Sequence, residues 1–354
     1  MLEIRVCPVQ LHLIHPFTLA HGSSMVRENV FIEMKLDGYT AYGEAPIVPY
    51  YFISKENVIN DITSTLKEYN RSQILYFVDT GTSPSFTYAV SSAAFQTASL
   101  NLRSTRSKMS AEELLAIKTH GDLPKTTFTI AYHEDIDKMV DIATSCGFSH
   151  VKVKAGIPGD IVRIKAIRAA LPRVKIFVDA NQGWSVDEAK KCIQELQYDN
   201  ITLIEEPIKG SPKEIEELAM STSIPLFLDE SIQDENDLYR FCQGAPHLGG
   251  IVVKSAKVGG PYNVKKIIQT AQQNAMQVFL SSMVESSVGI LSVVPFIPLC
   301  TYVDLDGPLL ISNTPFTGLR YEGERLHYDK NGCKASDEVR ELFDHTHPIT
   351  LLGS

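Results

Sequence analysis

No stretch of this 354-residue chain approaches the roughly 20 consecutive apolar residues that a membrane-spanning helix requires. The opening run, MLEIRVCPVQLHLIHPF, carries Glu3, Arg5 and His12 inside its apolar stretch, which does not suit a signal peptide. The six cysteines (Cys7, Cys146, Cys192, Cys242, Cys300 and Cys333) are scattered without a CxxC pair. That speaks against a disulfide framework or a structural zinc site and suits the reducing cytoplasm. Lysine and arginine number 33 against 42 aspartate and glutamate, with no basic cluster, so nucleic acid is not the expected partner. None of the ten histidines has HExxH or HxH spacing, and no P-loop or GxSxG occurs. The composition, 44% hydrophobic and 21% charged, is that of an ordinary soluble globular protein, and acidity alone says nothing positive about a substrate.

Length allows a barrel of roughly 200–250 residues and a second, smaller domain. Residues 1–115 read as an α+β unit. Leu2 to Leu13 alternates loosely as a strand, Asn29 to Leu36 gives another, and Asp37-Gly38 turns the chain into a third. Phe17 to Ser24 is expected as a polar loop. Helical spacing covers 55–69 and 84–102, and the polar run 104–122 reads as the passage to the next domain.

From Thr126 a regular alternation begins. Expected strands are Thr126–Ala131, His150–Lys154, Val174–Asp179, Ile201–Glu205, Pro225–Asp229, Gly250–Lys254, Gln277–Ser281 and Thr301–Asp304. Amphipathic helices such as Ile136–Cys146, Val186–Leu196, Lys213–Met220 and Val264–Asn274 separate them. Repeats of roughly 25 residues describe a (β/α)-barrel over 116–320. A doubly wound open sheet is the rival, but no Gly-x-Gly-x-x-Gly follows its first strand. The last repeat is short, without a full crossover helix after Asp304, and 321–354 is expected to return to the N-terminal unit.

The active end of a parallel barrel lies at the strand C-termini. Here Lys154, Asp179, Glu205, Asp229, Lys257, Glu285 and Asp304 lie at or just past those ends. Asp179, Glu205 and Asp229 come from consecutive strands. Each alone is equally well a solvated strand end or a helix cap; together they need a cation, and oxygen ligation selects Mg2+ or Mn2+. In the strand Val151-Lys152-Val153-Lys154, the period of two sends both lysines to one face. An exposed edge strand defended by lysine is the plainer account of those four residues. Across a barrel mouth, Lys154 and Lys257 would instead address opposite faces of one substrate carbon, one as free amine and the other as ammonium. Lys152 beside Lys154 would help keep that base deprotonated.

Lys-x-Lys at 152–154, Asp-Ala-Asn-Gln at 179–182, Ile-Glu-Glu-Pro at 204–207, Leu-Asp-Glu-Ser at 228–231, Lys-x-x-Lys-x-Gly-Gly at 254–260 and Met-Val-Glu-Ser at 283–286 occur in this order. In this the chain resembles the enolase superfamily, in its muconate-lactonizing-enzyme subgroup, and within it the dipeptide epimerases. The pairing of lysine bases with magnesium is that superfamily's general pattern. The resemblance implies a modified (β/α)7β TIM-like barrel under an N-terminal α+β capping domain. It implies Mg2+ on Asp179, Glu205 and Asp229, Lys154 and Lys257 as the acid–base pair, and Lys152 and Glu285 at the substrate. Asp304 and Asp306, in Val303-Asp-Leu-Asp-Gly-Pro308, would hold a dipeptide's α-ammonium. The period of two sends them the same way; an Asp-Gly-Pro turn would explain Asp306 but not Asp304.

The expected reaction is epimerisation of an L-Ala-L-Xaa dipeptide at its C-terminal α-carbon. Succinylbenzoate synthases, muconate cycloisomerases and acylamino-acid racemases share the metal and lysines and are the alternatives. A silent relative that only binds peptide would not need both lysines. The loop expected to cover the substrate side chain offers His21 and no arginine, which departs from relatives acting on Ala-Glu. The partner is thus a small dipeptide, with neither nucleic acid nor membrane, and a homo-oligomer remains open.

Overall fold

A computed structural model describes residues 2–19, 22–48, 53–118, 124–329 and 332–353. The N-terminal unit is a three-stranded antiparallel sheet of β1 (Leu2–Leu19), β2 (Gly22–Leu36) and β3 (Tyr39–Ala45). Asp37 and Gly38 turn the second strand into the third, both with positive φ (51° and 88°) as a two-residue hairpin turn requires. The segment expected as a loop is paired instead: Phe17 lies opposite Ser24 and Thr18 opposite Ser23, beyond an irregularity between His12 and Phe17. Helices α1 (Lys55–Lys67), α2 (Arg71–Thr80) and α3 (Ala89–Ser107) cover the sheet. Ser54 and Asn70 cap the first two through reciprocal side-chain bonds. Among the described residues of the passage that follows, only the short α4 (Ala111–Leu114) is helical.

Eight parallel strands then run in chain order around a barrel: β4 (Phe128–Ile130), β5 (His150–Lys154), β6 (Lys175–Asp179), β7 (Ile201–Glu205), β8 (Leu226–Leu228), β9 (Gly250–Lys254), β10 (Gln277–Ser281) and β11 (Tyr302–Asp304). The ring closes where Thr126 bridges Val303 and the Thr127 N–H donates to the Val303 carbonyl at 2.9 Å. Helices α5 (Ile136–Ser145), α6 (Asp160–Ala170), α7 (Val186–Leu196), α8 (Pro212–Met220) and α9 (Glu235–Gly244) follow the first five strands. After β9 come the one-turn α10 (Ser255–Val258) and α11 (Pro261–Gln273), and after β10 comes α12 (Ser287–Val293). After β11 there is only a 3-10 turn, Gly307–Leu309, so the final repeat lacks its crossover helix.

The period of two divides each strand's side chains into a wall and an interior. Val151, Val153, Ile176, Val178, Ile204, Leu228, Ile251, Val253, Val278, Leu280 and Val303 point outward into one apolar cluster with the helices. Phe177, Leu203, Phe227, Val252 and Phe279, with Tyr302 against them, fill the interior as a floor. Two residues further along those strands come Asp179, Glu205, Asp229, Lys254, Ser281 and Asp304. The charged mouth therefore stands one layer above an aromatic and aliphatic floor. On β5 the residue at floor level is Lys152, 1% exposed and with its ammonium 5.6 Å from the Phe279 ring centre. Since β5 lies between β4 and β6, the edge-strand account of these lysines falls away.

The C-terminal segment forms the hairpin of β13 (Leu319–Glu322) and β14 (Arg325–Tyr328), and β12 (Phe316–Thr317) pairs with β15 (Lys334–Ala335). Helix α13 (Asp337–Asp344) packs Val339 and Phe343 against Cys7, Phe31 and Tyr42 of the N-terminal sheet. The Ile349 N–H donates to the Ile4 carbonyl at 2.8 Å, tying the chain's end to β1.

Candidate active site

Register brings the mouth residues together in two arcs. Lys154 pairs with Asp179 and Asp179 with Glu205 across β5, β6 and β7. Lys254 pairs with Ser281 and Ser281 with Asp304 across β9, β10 and β11. Asp229 follows β8 and joins the arcs. All of these residues are buried, none more than 8% exposed.

Buried charges of this number survive only if paired. The Lys152 ammonium lies 3.1 Å from Asp179 Oδ2, 2.9 Å from Glu205 Oε2 and 3.2 Å from Asp304 Oδ2. The Lys154 ammonium lies 2.5 Å from Asp179 Oδ2 and 3.2 Å from Asn181 Oδ1. Lys254 bonds Asp229 Oδ2. Burial alone would lower the affinity of Lys152 for its proton, but Asp179, Glu205 and Asp304 raise it well above the usual lysine range. Burial would likewise raise Asp179 and Asp229, yet the lysines beside each hold both below the ordinary carboxylate range. Glu205 is the exception: burial, then the nearby Asp179, push its acid well above its usual value despite Lys152.

That exception bears on a metal. Oε2 of Glu205 is buried and, although Lys152 is within ion-pair distance, has no hydrogen bond in proper alignment. Among the described residues no three carboxylate, imidazole or thiolate side chains are gathered around a common point; Lys152 stands between Asp179 and Glu205. The donor chemistry nevertheless fits a hard divalent cation. Three carboxylates and no sulfur or imidazole are the ligands Mg2+ takes, and the under-satisfied Glu205 is the oxygen a second positive charge would stabilise.

Lys257, the second lysine of the expected acid–base pair, does not stand at a strand end. Lys257 lies on α10, past the strand end, and its ammonium turns back to the Asp229 carbonyl, to Asp229 Oδ1 at 2.7 Å and to the Val252 carbonyl at 2.9 Å. An ammonium has three N–H donors, and these acceptors use all three. Lys257 laces the end of β8 to β9. Lys254, three residues earlier, closes β9 itself. In a ring of eight, β5 and β9 are four strands apart, so Lys154 and Lys254 come from opposite sides of the mouth. The expected strand Gly250–Lys254 ends at this lysine, whereas Lys257 lies three residues beyond it.

Asp304 and Asp306 enter the site by different contacts. Asp304 accepts from Thr127 Oγ1, Ser281 Oγ at 3.0 Å and Lys152. Asp306 Oδ2 accepts from the Thr129 N–H at 2.6 Å. Burial, followed by the charge of Asp304, pushes the Asp306 acid up to about 7. Glu285 accepts from the Met283 N–H of its own loop at 2.9 Å, and a β-carbon at Gly289 would sit 1.9 Å from its Oε2. Burial and the nearby Glu44 raise its acid to about 8. Glu44, from β3, accepts from Ser286 N–H at 3.0 Å, Ser286 Oγ at 2.7 Å and Gly289 N–H at 3.0 Å, pinning the start of α12 to the N-terminal sheet. His21 lies outside the described residues.

Three further residues support the mouth: Glu206, expected from its place beside a ligand to orient lysine or metal, Trp184, expected to shape the cavity or cap a helix, and Asn181, for which the sequence suggested no role. Asn181 and Glu206, with φ of 45° and 42°, follow metal-site strands in left-handed conformations. Glu206 accepts from the Asp229 N–H at 2.6 Å and Gln182 Nε2 at 2.8 Å, bracing β8. Trp184 donates to Asp160 Oδ2 at 2.9 Å. A charged or amide residue one or two places after a strand-end carboxylate, Glu206 after Glu205 and Asn181 after Asp179, is the signal that marks these two.

Residues 134–308 match the family described as enolase C-terminal domain-like. The L-Ala-D/L-Glu epimerase of Bacteroides thetaiotaomicron is 33% identical over 327 residues, covering 88% of this chain and 82% of that protein. The L-Ala-D/L-amino acid epimerase of Pedosphaera parvula is 28% identical over 352 residues, covering 96% and 99%. The solved dipeptide epimerase of Cytophaga hutchinsonii, complexed with Mg and D-Ala-L-Val, superposes with a TM-score of 0.86 at 23% identity over 98% of each chain. Fold and relatives together define an isomerase, of the epimerase kind. The chain belongs to the enolase superfamily, in the dipeptide-epimerase family of its muconate-lactonizing-enzyme subgroup.

Removing Lys152 strips three buried carboxylates of their shared cation. Lys152→Met is expected to cost about 3–5 kcal/mol of stability, the usual penalty for one deleted partner of a buried pair. Chemical denaturation in EDTA measures it; a loss below about 1 kcal/mol, the level of a surface ion pair, contradicts the assigned contacts.

Proposed function

We propose that the protein epimerises dipeptides of the L-Ala-L-Xaa type at the α-carbon of the C-terminal residue, with Mg2+ as cofactor. The observation that carries this reading is the placement of Lys154 and Lys254 on strands four apart, with carboxylates of consecutive strands between them. One-sided chemistry needs one base; inversion needs two, on opposite faces.

Asp179, Glu205 and Asp229 would hold the metal. When bound, Mg2+ supplies stabilisation of the negative charge that develops on the substrate carboxylate as the α-proton leaves. One lysine, as the neutral amine, takes that proton; the C–H bond's electron pair moves into the carboxylate. The opposite lysine, as ammonium, returns a proton to the other face, and a new C–H bond forms with inverted configuration. Lys152 adds a fixed positive charge beside Glu205 and Asp179, where it assists the same charge development. Asp306, with Asp304 behind it, takes the dipeptide's α-ammonium. Two carboxylates suit a cation and would repel the succinyl or muconate anions of the rival reactions.

Proton NMR in D2O with Mg2+ and pooled L-Ala-L-Xaa dipeptides tests the reaction. The C-terminal α-proton signal is expected to disappear, and EDTA to stop the loss. A pool that never exchanges sinks the dipeptide reading.

Asp306 gives a pH dependence. Its acid, raised to about 7, is neutral below that pH and loses the charge that attracts the ammonium. The KM for the dipeptide is therefore expected to rise as pH falls from 8 to 6. In Asp306→Asn it should be high throughout, by about 10- to 150-fold, the loss of a hydrogen bond to a charged group. A KM flat with pH in both proteins contradicts the assignment.

A further inference from the structure

The two lysines are not held alike. Lys154 has beside Asp179 a neutral acceptor, Asn181 Oδ1, at 3.2 Å. The amide of Asn181 is oriented by its other end, where Nδ2 donates to Glu230 Oε1 at 2.9 Å. An ammonium or amine N–H needs an oxygen, so only one amide orientation serves both neighbours. Oε2 of Glu230 is buried with no hydrogen-bond partner.

The backbone that carries Asn181 is equally constrained. Its φ is 45°, a left-handed conformation asparagine tolerates better than most residues. Its N–H donates to Asp179 Oδ1 at 3.1 Å, and the next residue, Gln182, donates to the Glu206 carbonyl at 2.8 Å. The loop after Lys154 presses against it: a β-carbon at Gly156 would lie 2.2 Å from the Ala180 carbonyl oxygen. Asp160 joins the two loops, accepting from the Gly156 N–H at 2.7 Å and from Trp184 Nε1.

We infer that Asn181, oriented by Glu230, is a positioning residue that aims the lone pair of Lys154 at the substrate. A neutral lysine amine has its stem, two N–H bonds and one lone pair in tetrahedral array. Asp179 Oδ2 and Asn181 Oδ1 take the two N–H bonds and leave the fourth direction for the α-proton. After transfer the third N–H occupies that direction, so the same acceptors aim the proton on its return. Of these acceptors, Asn181 is the one with no share in metal binding, so it alone is devoted to the base.

The inference rests on the epimerase reading, and stereochemistry separates the two. Asn181→Gly deletes the amide while keeping a residue at ease with positive φ. Each epimer presents its α-proton to one lysine, and a base can return solvent deuterium to the face it serves. The α-proton loss of both epimers is followed by NMR in D2O with Mg2+, for the wild type, Asn181→Gly, Glu230→Ala and Lys154→Ala. Wild-type protein that exchanges neither epimer overturns the reaction itself. Otherwise Asn181→Gly should slow exchange of one epimer, and inversion from either, on the order of 10- to 100-fold, the scale of a misaimed catalytic group. The other epimer should keep exchanging with retention within about twofold of wild type. The slowed epimer must be the one Lys154→Ala silences, and Glu230→Ala should slow the same one. Equal slowing of both epimers, or none, in variants whose thermal unfolding matches wild type overturns the positioning role.

Discussion

Everything in the mouth of this barrel follows from putting lysines and carboxylates out of water together. Lys152 is the extreme case: at the level of the aromatic floor, 1% exposed, it is tolerable only because Asp179, Glu205 and Asp304 converge on it. The floor of Phe177, Leu203, Phe227, Val252 and Phe279 excludes water from below and so strengthens each interaction above it. Charge compensation is nearly complete for Asp179 and Asp229 and incomplete for Glu205. Of the three, Glu205 is thus the carboxylate with the least positive charge around it.

The N-terminal unit contributes by holding the loops of this mouth. Glu44 fixes the start of α12 after β10, while Ser92 Oγ of α3 donates to the Gly259 carbonyl at 2.8 Å and Gln96 accepts from the Tyr262 N–H at 3.2 Å. The double glycine at 259–260 is where helix α3 lies against the barrel. The loop carrying Lys257 is clamped from that side. Cap and barrel therefore share buried polar contacts at successive strand ends, and the last turns of the chain close the circuit by returning to β1 and the sheet.

The barrel was legible because its strands are short apolar runs ending in a charged or polar residue: β5, β7, β9 and β10 begin and end where the alternation places them. The place of Asp179, Glu205 and Asp229 at the ends of consecutive strands and the shared face of Lys152 and Lys154 were legible for the same reason, since a period of two needs no tertiary information. Long-range choices were not. Which of Lys254 and Lys257 faces the mouth depends on a helical turn that folds the later ammonium back onto the Asp229 carbonyl. The pairing of Phe17 with Ser24 depends on an irregularity that local composition does not encode. Helix α13, in the stretch expected to return to the N-terminal unit, gains its partners only by crossing to the sheet at the start of the chain. The contacts of Asn181 likewise arise between loops of three different strands.

The central claim is that the reaction runs between two opposed bases, Lys154 and Lys254. It is tested most directly by α-proton exchange of each epimer in D2O with Lys254→Ala and Lys257→Ala compared side by side. The account predicts that Lys254→Ala abolishes inversion while leaving exchange with retention at the epimer served by Lys154, and that Lys257→Ala, if folded, still inverts. Inversion surviving in Lys254→Ala but lost in Lys257→Ala would contradict it and return the second base to the helix after the strand.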